Sequence, residues 1–524
     1  MNKPIEISFL KKNYFKLRFF FSRIVSIWSL TLIILILFTG FLSVYNPHST
    51  LFYIFFWIVV VFYIWWLIRW FEYIILLVSA YIRYKNYQSI NIKNIFDKKP
   101  VSKLEKIFYK RYQKSWYKQE ALYHWVIIPT FQDPYEMLKD GFESIKNSNT
   151  DNKKIIITLA WEEKDKEKFD KISKKFLNEY QNIFFYVNTT IHPYWIKWEV
   201  PWKWSNVTFA AKNTYQTLIN FWIKKENILV TVLDSEGIVQ DKYFDLLAFE
   251  YCTTKDDMKD KTIYQPMLFL FNRFFKSHFF SKVIAISTTF YIFAASIKWI
   301  WTRAQAVQAQ SLSSLLQTDF YSVETITEDW HQYYRTYCTF DWTFQVKPVY
   351  AYILLEPVIW KTLFESIKLQ YNQIKRWAHG ALDLPYITIC FLKNKKIPKF
   401  RTLYEIFWLM ESSVLWWSLQ FILFFWSLFF FFLSWLYTSI FLSFSILWLL
   451  VLLILTSVII IFLPWKDLWS KRQILYEWFK YILFSFTIMG PMLLIMNWLP
   501  ALHAQLLILL WKPMWKFNVT KKYR

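Results

Sequence analysis

Ile228-Leu229-Val230-Thr231-Val232-Leu233-Asp234-Ser235-Glu236 decides the fold. An apolar, β-branched run passes straight into two carboxylates one residue apart. A run without alternation is what a strand covered on both faces looks like, because neither set of side chains faces water. Three similar runs precede it: Trp125-Val126-Ile127-Ile128-Pro129-Thr130, Ile155-Ile156-Ile157-Thr158-Leu159-Ala160 and Ile183-Phe184-Phe185-Tyr186-Val187. Residues 134–144 and 164–180 between them read as helices. Strands alternating with helices predict a doubly wound α/β domain. Ligands of such sheets bind beyond the carboxyl ends of the strands. Asp133, Glu162, Glu163, Asp234 and Glu236 all fall just past those ends.

The flanks are different. The chain is 55% hydrophobic with a mean hydropathy of +0.20, which points to membrane segments rather than to a soluble enzyme throughout. A basic start carrying Lys3, Lys11, Lys12, Lys16, Arg18 and Arg23 leads to apolar runs at 24–44 and 51–81. Further spans are expected at 414–435 and 439–463, since a span needs about 20 residues. Residues 479–510 are apolar but broken by Gly490-Pro491 and Pro500. Residues 269–301 carry Arg273, Lys276, Lys282 and Lys298 and read as interfacial helices. The net charge of +24 sits beside these runs, so it reads as cytoplasmic flanks rather than a nucleic-acid surface. The expected division is 1–85 for an N-terminal transmembrane pair, 86–398 for a cytoplasmic catalytic domain and 399–524 for C-terminal transmembrane or interfacial helices with a tail. Cys252, Cys338 and Cys390 share no metal-ligand spacing and are expected to be reduced structural residues.

Glycine is scarce. The chain has 5 Gly and 31 Trp, where the usual share of roughly 7% would be about 37 glycines. Some bacterial lineages read UGA as glycine, and a translation reading it as tryptophan would produce this imbalance. Trp202 and Trp204, in Pro201-Trp202-Lys203-Trp204-Ser205-Asn206, lie outside any apolar run and fit that reading. Aromatic belts of a Trp-rich membrane protein are the alternative.

Two motifs follow in order: Thr327-Glu328-Asp329-Trp330, and Gln373-Ile374-Lys375-Arg376-Trp377. With Asp234-Ser235-Glu236 ahead of them, they resemble the signature of membrane-integrated family 2 glycosyltransferases of the cellulose synthase and hyaluronan synthase type. The resemblance implies a GT-A nucleotide-diphospho-sugar transferase domain embedded between transmembrane α-helices of the cell (inner) membrane. It implies Asp329 as the catalytic base, with Glu328 beside it. It implies that Asp234 and Glu236 hold Mg2+ or Mn2+, although the family usually has Asp where Glu236 stands. Asp133, Glu162, Glu163, Lys203 and Asn206 would line the donor pocket. Gln373 and Arg376 would engage the diphosphate, and Trp377 would stack on the acceptor sugar. Phe517-Asn518-Val519-Thr520-Lys521-Lys522 is similar to the family's gating loop, with Thr520 and Lys522 toward the phosphates. The chemistry suits the residue types. A carboxylate takes a hydroxyl proton, and guanidinium and ammonium groups match phosphate oxygens.

The implied activity is inverting transfer from a nucleotide-sugar, UDP-linked by the resemblance, to a growing polysaccharide or glycan. Membrane lipids are expected partners and nucleic acid is not. Two alternatives stand beside it. One is a non-processive transferase acting on a lipid-linked acceptor. The other is an inactive polysaccharide-binding or scaffold subunit. Each motif also has a plainer reading. Glu162 and Glu163 suit a charged helix start. The Gln373 box suits an amphipathic helix at a membrane, and the tail a basic juxtamembrane segment.

Overall fold

The computed structural model describes residues 49–410 and 494–510, with isolated positions at 23–45 and at 473; within 49–410, residues 116, most of 195–202, 299–302, 324–327 and 380–382 are outside the description. The centre is a mixed sheet of eight strands: β1 Tyr123–Thr130, β2 Ile155–Glu162, β3 Tyr186–His192, β4 Ile228–Val232, β5 Ile238–Val239, β6 Thr262–Phe269, β7 Gln308–Ser311 and β8 Gln345–Leu354. Their order is β3-β2-β1-β4-β7-β6-β8-β5. The first four are parallel, and β7 then runs antiparallel to both β4 and β6.

The parallel half matches the expectation of strands buried on both faces. Every residue of β4 is buried, and so are seven of the eight in β1. On one face Val126, Ile128 and Leu229 belong to the same core as the helix Tyr243–Cys252 and the end of the helix Thr50–Ser89. On the other, Trp125, Ile127 and Val230 meet the helix Lys203–Leu218. Each such Ile, Leu or Val contributes about 1.5–3 kcal/mol by leaving water.

The third strand departs from expectation. The run at 183–187 reads as a strand, but Phe184 closes the preceding helix onto the core, its ring 6.0 Å from that of Tyr180. The strand begins at Tyr186 and continues through polar Asn188, Thr189 and Thr190. It lies at the edge of the sheet, so one face of it is not required to be apolar. The strands β5 to β8 of the second half are additions to the expected four; among them β6 and β8 carry the apolar runs Pro266-Met267-Leu268-Phe269 and Val349-Tyr350-Ala351-Tyr352-Ile353.

The expected interfacial stretch at 269–301 contains the helix Phe279–Ala295. It packs on the sheet through Phe290, Ile292 and Phe293 and touches Tyr84 of the long N-terminal helix. The cysteine expectation needs correction. Cys338 and Cys390 form a disulfide, and only Cys252 is free and buried. The helices Glu328–Thr339 and Asp383–Lys393 pack side by side and bring Cα atoms 52 residues apart to within 6.5 Å, a distance that spacing in the chain does not reveal.

Among the described residues no helix is long and apolar enough to cross a membrane. The expected spans at 414–435 and 439–463 lie outside the description. Those at 24–44 and 479–510 are described only in part. The expected run at 51–81 falls within the helix Thr50–Ser89, which is 40 residues long and is also described in part.

Candidate active site

Beyond the carboxyl end of β4 the chain turns sharply. Gly237 N–H donates to Asp234 O at 2.8 Å. A Cβ on Gly237 would come within 2.5 Å of the Leu233 side chain, and one on Gly141 within 3.1 Å of Gly237 O. Two of the chain's few glycines thus let the helix Tyr135–Lys146 and the Asp234 turn approach each other. The turn presents Asp234 beside the first residue of the next layer. Lys203 opens the helix Lys203–Leu218 and its Nζ lies 2.5 Å from Asp234 Oδ1. The same ammonium donates to Ala306 O at 3.2 Å.

Asp329 is the second residue of the helix Glu328–Thr339. Its Oδ1 is shut off from solvent and has no hydrogen-bond partner. Burial pushes its carboxyl up to about 6. Lys203 and Arg376 pull against that shift, and Asp234 adds to it. These causes locate the group: Asp329, Lys203, Asp234 and Arg376 share one electrostatic neighbourhood, though they come from four separate segments. A carboxyl with a pKa near 6 is mostly ionised at neutrality yet still basic, which suits a proton acceptor.

Arg376 lies on the helix Leu363–Ala378, begun by Thr362, whose Oγ1 accepts from Glu365 N at 3.3 Å. Gln373 Oε1 accepts from Gln370 Nε2 at 2.9 Å, and Trp377 is 38% exposed, open to a ligand. Ala378 meets Ala501 and Ala504, so small side chains seat this helix against Leu499–Leu509.

The other expected pocket residues divide into two groups. Asn206 is buried; its Nδ2 donates to Ala160 O at 3.0 Å, which ties the helix to the end of β2. Asp133 accepts from Thr130 Oγ1 at 3.0 Å and from Phe131 N at 3.2 Å, shaping the turn after β1. Glu162 and Glu163 hold the end of β3 and the segment that follows it. Glu162 Oε2 is 3.2 Å from His192 Nδ1, and Glu163 Oε2 accepts from Tyr194 N at 2.9 Å. His192 Nε2 is 3.1 Å from Glu199 Oε2. Burial lowers the imidazole pKa, but the two carboxylates outweigh it and raise the pKa to about 9, so both nitrogens carry protons at neutrality. His192 and Glu199 escaped the sequence reading. The only signal was a histidine five residues past an apolar run. The Glu328 side chain, Thr327, and the tail with Thr520 and Lys522 lie outside the described residues.

For the divalent cation the donor set is small. Asp234 and Glu236 supply two carboxylates after β4, with Ser235 Oγ 3.4 Å from Glu236 Oε2. Among the described residues no group of three His, Cys, Asp or Glu is placed to hold a metal. Two carboxylates fit the mode in which Mg2+ is bound through one or two carboxylates together with substrate phosphates, rather than a closed protein cage.

No protein-family model matches the chain, and no curated protein does. Solved structures similar to it include a mannosyltransferase from Pyrobaculum calidifontis in complex with GDP-Man and Mn2+, at 10% identity and a TM-score of 0.39, covering 83% of this chain and 99% of that one. TarS from S. aureus in complex with UDP-GlcNAc is similar at 10% identity and a TM-score of 0.34, over 76% of this chain and 94% of that one. GalNAc-T7 with UDP, GalNAc and Mn2+ is similar at 10% identity and a TM-score of 0.31, over 56% of this chain and 57% of that one.

Proposed function

We propose that the chain is an inverting glycosyltransferase that uses a nucleotide-sugar. The observation that carries this is Asp329: a carboxyl without a hydrogen-bond partner on Oδ1, set among Lys203, Asp234 and Arg376 at the carboxyl edge of the sheet. Asp329 accepts the proton of an acceptor hydroxyl. The freed oxygen bonds to the anomeric carbon of the donor, and the bond from that carbon to the diphosphate breaks. The nucleoside diphosphate leaves with the electron pair. Lys203 and Arg376 stabilise the charge that gathers on the departing phosphates, and Gln373 orients them. Asp234 and Glu236 would hold Mg2+ or Mn2+, which supplies further charge for the same phosphates. Asn206, Asp133, Glu162 and Glu163 shape the wall around the nucleoside. Trp377 offers an exposed face for an acceptor sugar to stack on.

The same reading places residues 86–398 as a GT-A domain in the cytoplasm, between membrane helices, with Thr520 and Lys522 closing over the nucleotide. The described part of the N-terminal region supports a lipid setting. Trp57 is 61% exposed, Val61 62% and Ile75 66%, so the helix Thr50–Ser89 presents large apolar side chains that the sheet does not cover. UDP is the expected nucleotide, and a growing polysaccharide or a lipid-linked glycan the acceptor. Membranes containing the full chain, given a panel of nucleotide-sugars with Mn2+, should release nucleoside diphosphate from one of them. No release from any donor would favour the inactive-subunit alternative.

A further inference from the structure

The sheet face that carries Trp204 holds buried polar atoms that the fold does not use. Gln308 is fully buried, and neither its Oε1 nor its Nε2 has a hydrogen-bond partner. The Tyr321 phenol and Asp329 Oδ1 are in the same condition. Most buried polar atoms in native proteins are bonded, so such a group calls for a ligand or water. The register places Gln308. It pairs with Val232, and Gln310 pairs with Val230; both valines face the Trp204 and Tyr321 side. Gln332, on the Asp329 helix, donates to Gln310 at 3.2 Å. From Gln332 to Asp329 is one turn toward the helix start. From Gln310 to Gln308 is two residues toward the Asp234 end of β4. Asp329 lies in the electrostatic neighbourhood of Asp234 and Lys203, so Gln308 sits on the sheet at the edge that Asp329 also faces.

Resting on the transferase reading, we propose that Gln308 binds a hydroxyl of the sugar at the reacting centre. An amide offers acceptor and donor together, matching a hydroxyl, and being neutral it leaves the proton of the reacting hydroxyl to Asp329. The test compares the full wild-type chain with Gln308→Leu and Gln308→Asn. Gln308→Leu should keep UDP–Mn2+ binding within about twofold and raise the KM of either the nucleotide-sugar or the acceptor about tenfold. The substrate affected names the sugar that is held. Its melting temperature should not fall, because an unbonded amide is removed, and Gln308→Asn should recover part of the loss. Unchanged kinetics in Gln308→Leu, or lost stability with unchanged kinetics, would overturn the assignment while leaving the transferase reading intact. Wild type that neither binds UDP nor turns over any donor would overturn both.

A separate observation concerns tryptophan. Trp222 has φ 56 and ψ 23 and closes the helical turn Ile219–Phe221. Trp342 has φ 64 and follows Asp341 at φ 52, just past the helix Glu328–Thr339. Left-handed backbone at a helix end is the place of glycine, and a bulky side chain there is an outlier. Burial does not compensate: Trp222 is 93% exposed and Trp342 49%. With 5 Gly against 31 Trp in the chain, we infer that the cell inserts glycine at 222 and 342. Peptide mass spectrometry of the protein from its own cells, read against the gene, tests this. Glycine at 222 and 342, each encoded by UGA, is expected; tryptophan at either position overturns it. As a second check, Trp222→Gly and Trp342→Gly in a recombinant chain should each raise the melting temperature by about 1–2 °C, and a fall would count against the inference.

Discussion

At the scale of single residues, two titrating groups make the site testable. Asp329 must be ionised to accept a proton, and burial holds its pKa near 6. Turnover should therefore fall below pH 6, about tenfold per unit. Asp329→Asn should cut kcat by about 10²–10⁴-fold at pH 7.5 with donor affinity kept; kcat near that of wild type would remove Asp329 from the role of base. A raised carboxyl costs stability once it ionises, so Asp329→Asn should also melt higher than wild type at pH 8 and not at pH 4. His192 works in the opposite direction. Its folded pKa of about 9 lies above the ordinary value near 6.5. The stabilisation is whole below pH 6.5 and is lost as pH rises through 9. His192→Gln should cost on the order of 3 kcal/mol at pH 6 and almost nothing at pH 10. Denaturant titrations at the two pH values would show this, and an equal loss at both would mean that the Glu162–His192–Glu199 bridge is not ionic.

At the scale of elements, the catalytic helix is bound to its neighbours by a buried charge. Arg303 and Glu405 lie 2.5 Å apart with both side chains out of water, and Arg303 also donates to Tyr333 Oη at 2.8 Å. Its guanidinium sits 4.3 Å from the rings of Tyr333 and Trp408. The helix Lys399–Met410 thereby holds Glu328–Thr339, which carries Asp329. Glu405→Gln should strand the arginine charge and destabilise by about 3–5 kcal/mol. Arg303→Met with Glu405→Leu should recover much of that loss, since a buried pair replaced by apolar side chains is often neutral. Thermal melts of the single and double variants decide this; a double variant as unstable as the single one would mean that the pair holds more than its own charges. This pair was not visible in the chain, because Arg303 and Glu405 lie 102 residues apart.

At the scale of the whole molecule, the proposed membrane setting predicts that the full chain stays with membranes through alkaline carbonate washing and needs detergent for release. Release by carbonate would leave the exposed side chains of the Thr50–Ser89 helix to another partner. Much of the parallel half of the sheet was legible in the sequence. Runs such as Ile155-Ile156-Ile157 have to be buried on both faces, and carboxylates directly after a buried strand have to lie at its carboxyl end. Asp234 falls at such an end for that local reason, whereas Asp329 was singled out only by the resemblance of its motif to a family signature. The tertiary structure alone decided what those residues meet. The polar strand Gln308–Ser311 lies between β4 and β6 with no apolar pattern to announce it, and distant groups such as Gln332 and Asp260 bond its side chains. The pairing of Cys338 with Cys390, the bridge through His192 and the raised pKa of Asp329 all depend on groups distant in sequence. Periodicity reports which face of an element avoids water. It carries no record of which other element will cover that face, and the electrostatics of the site arise from that covering.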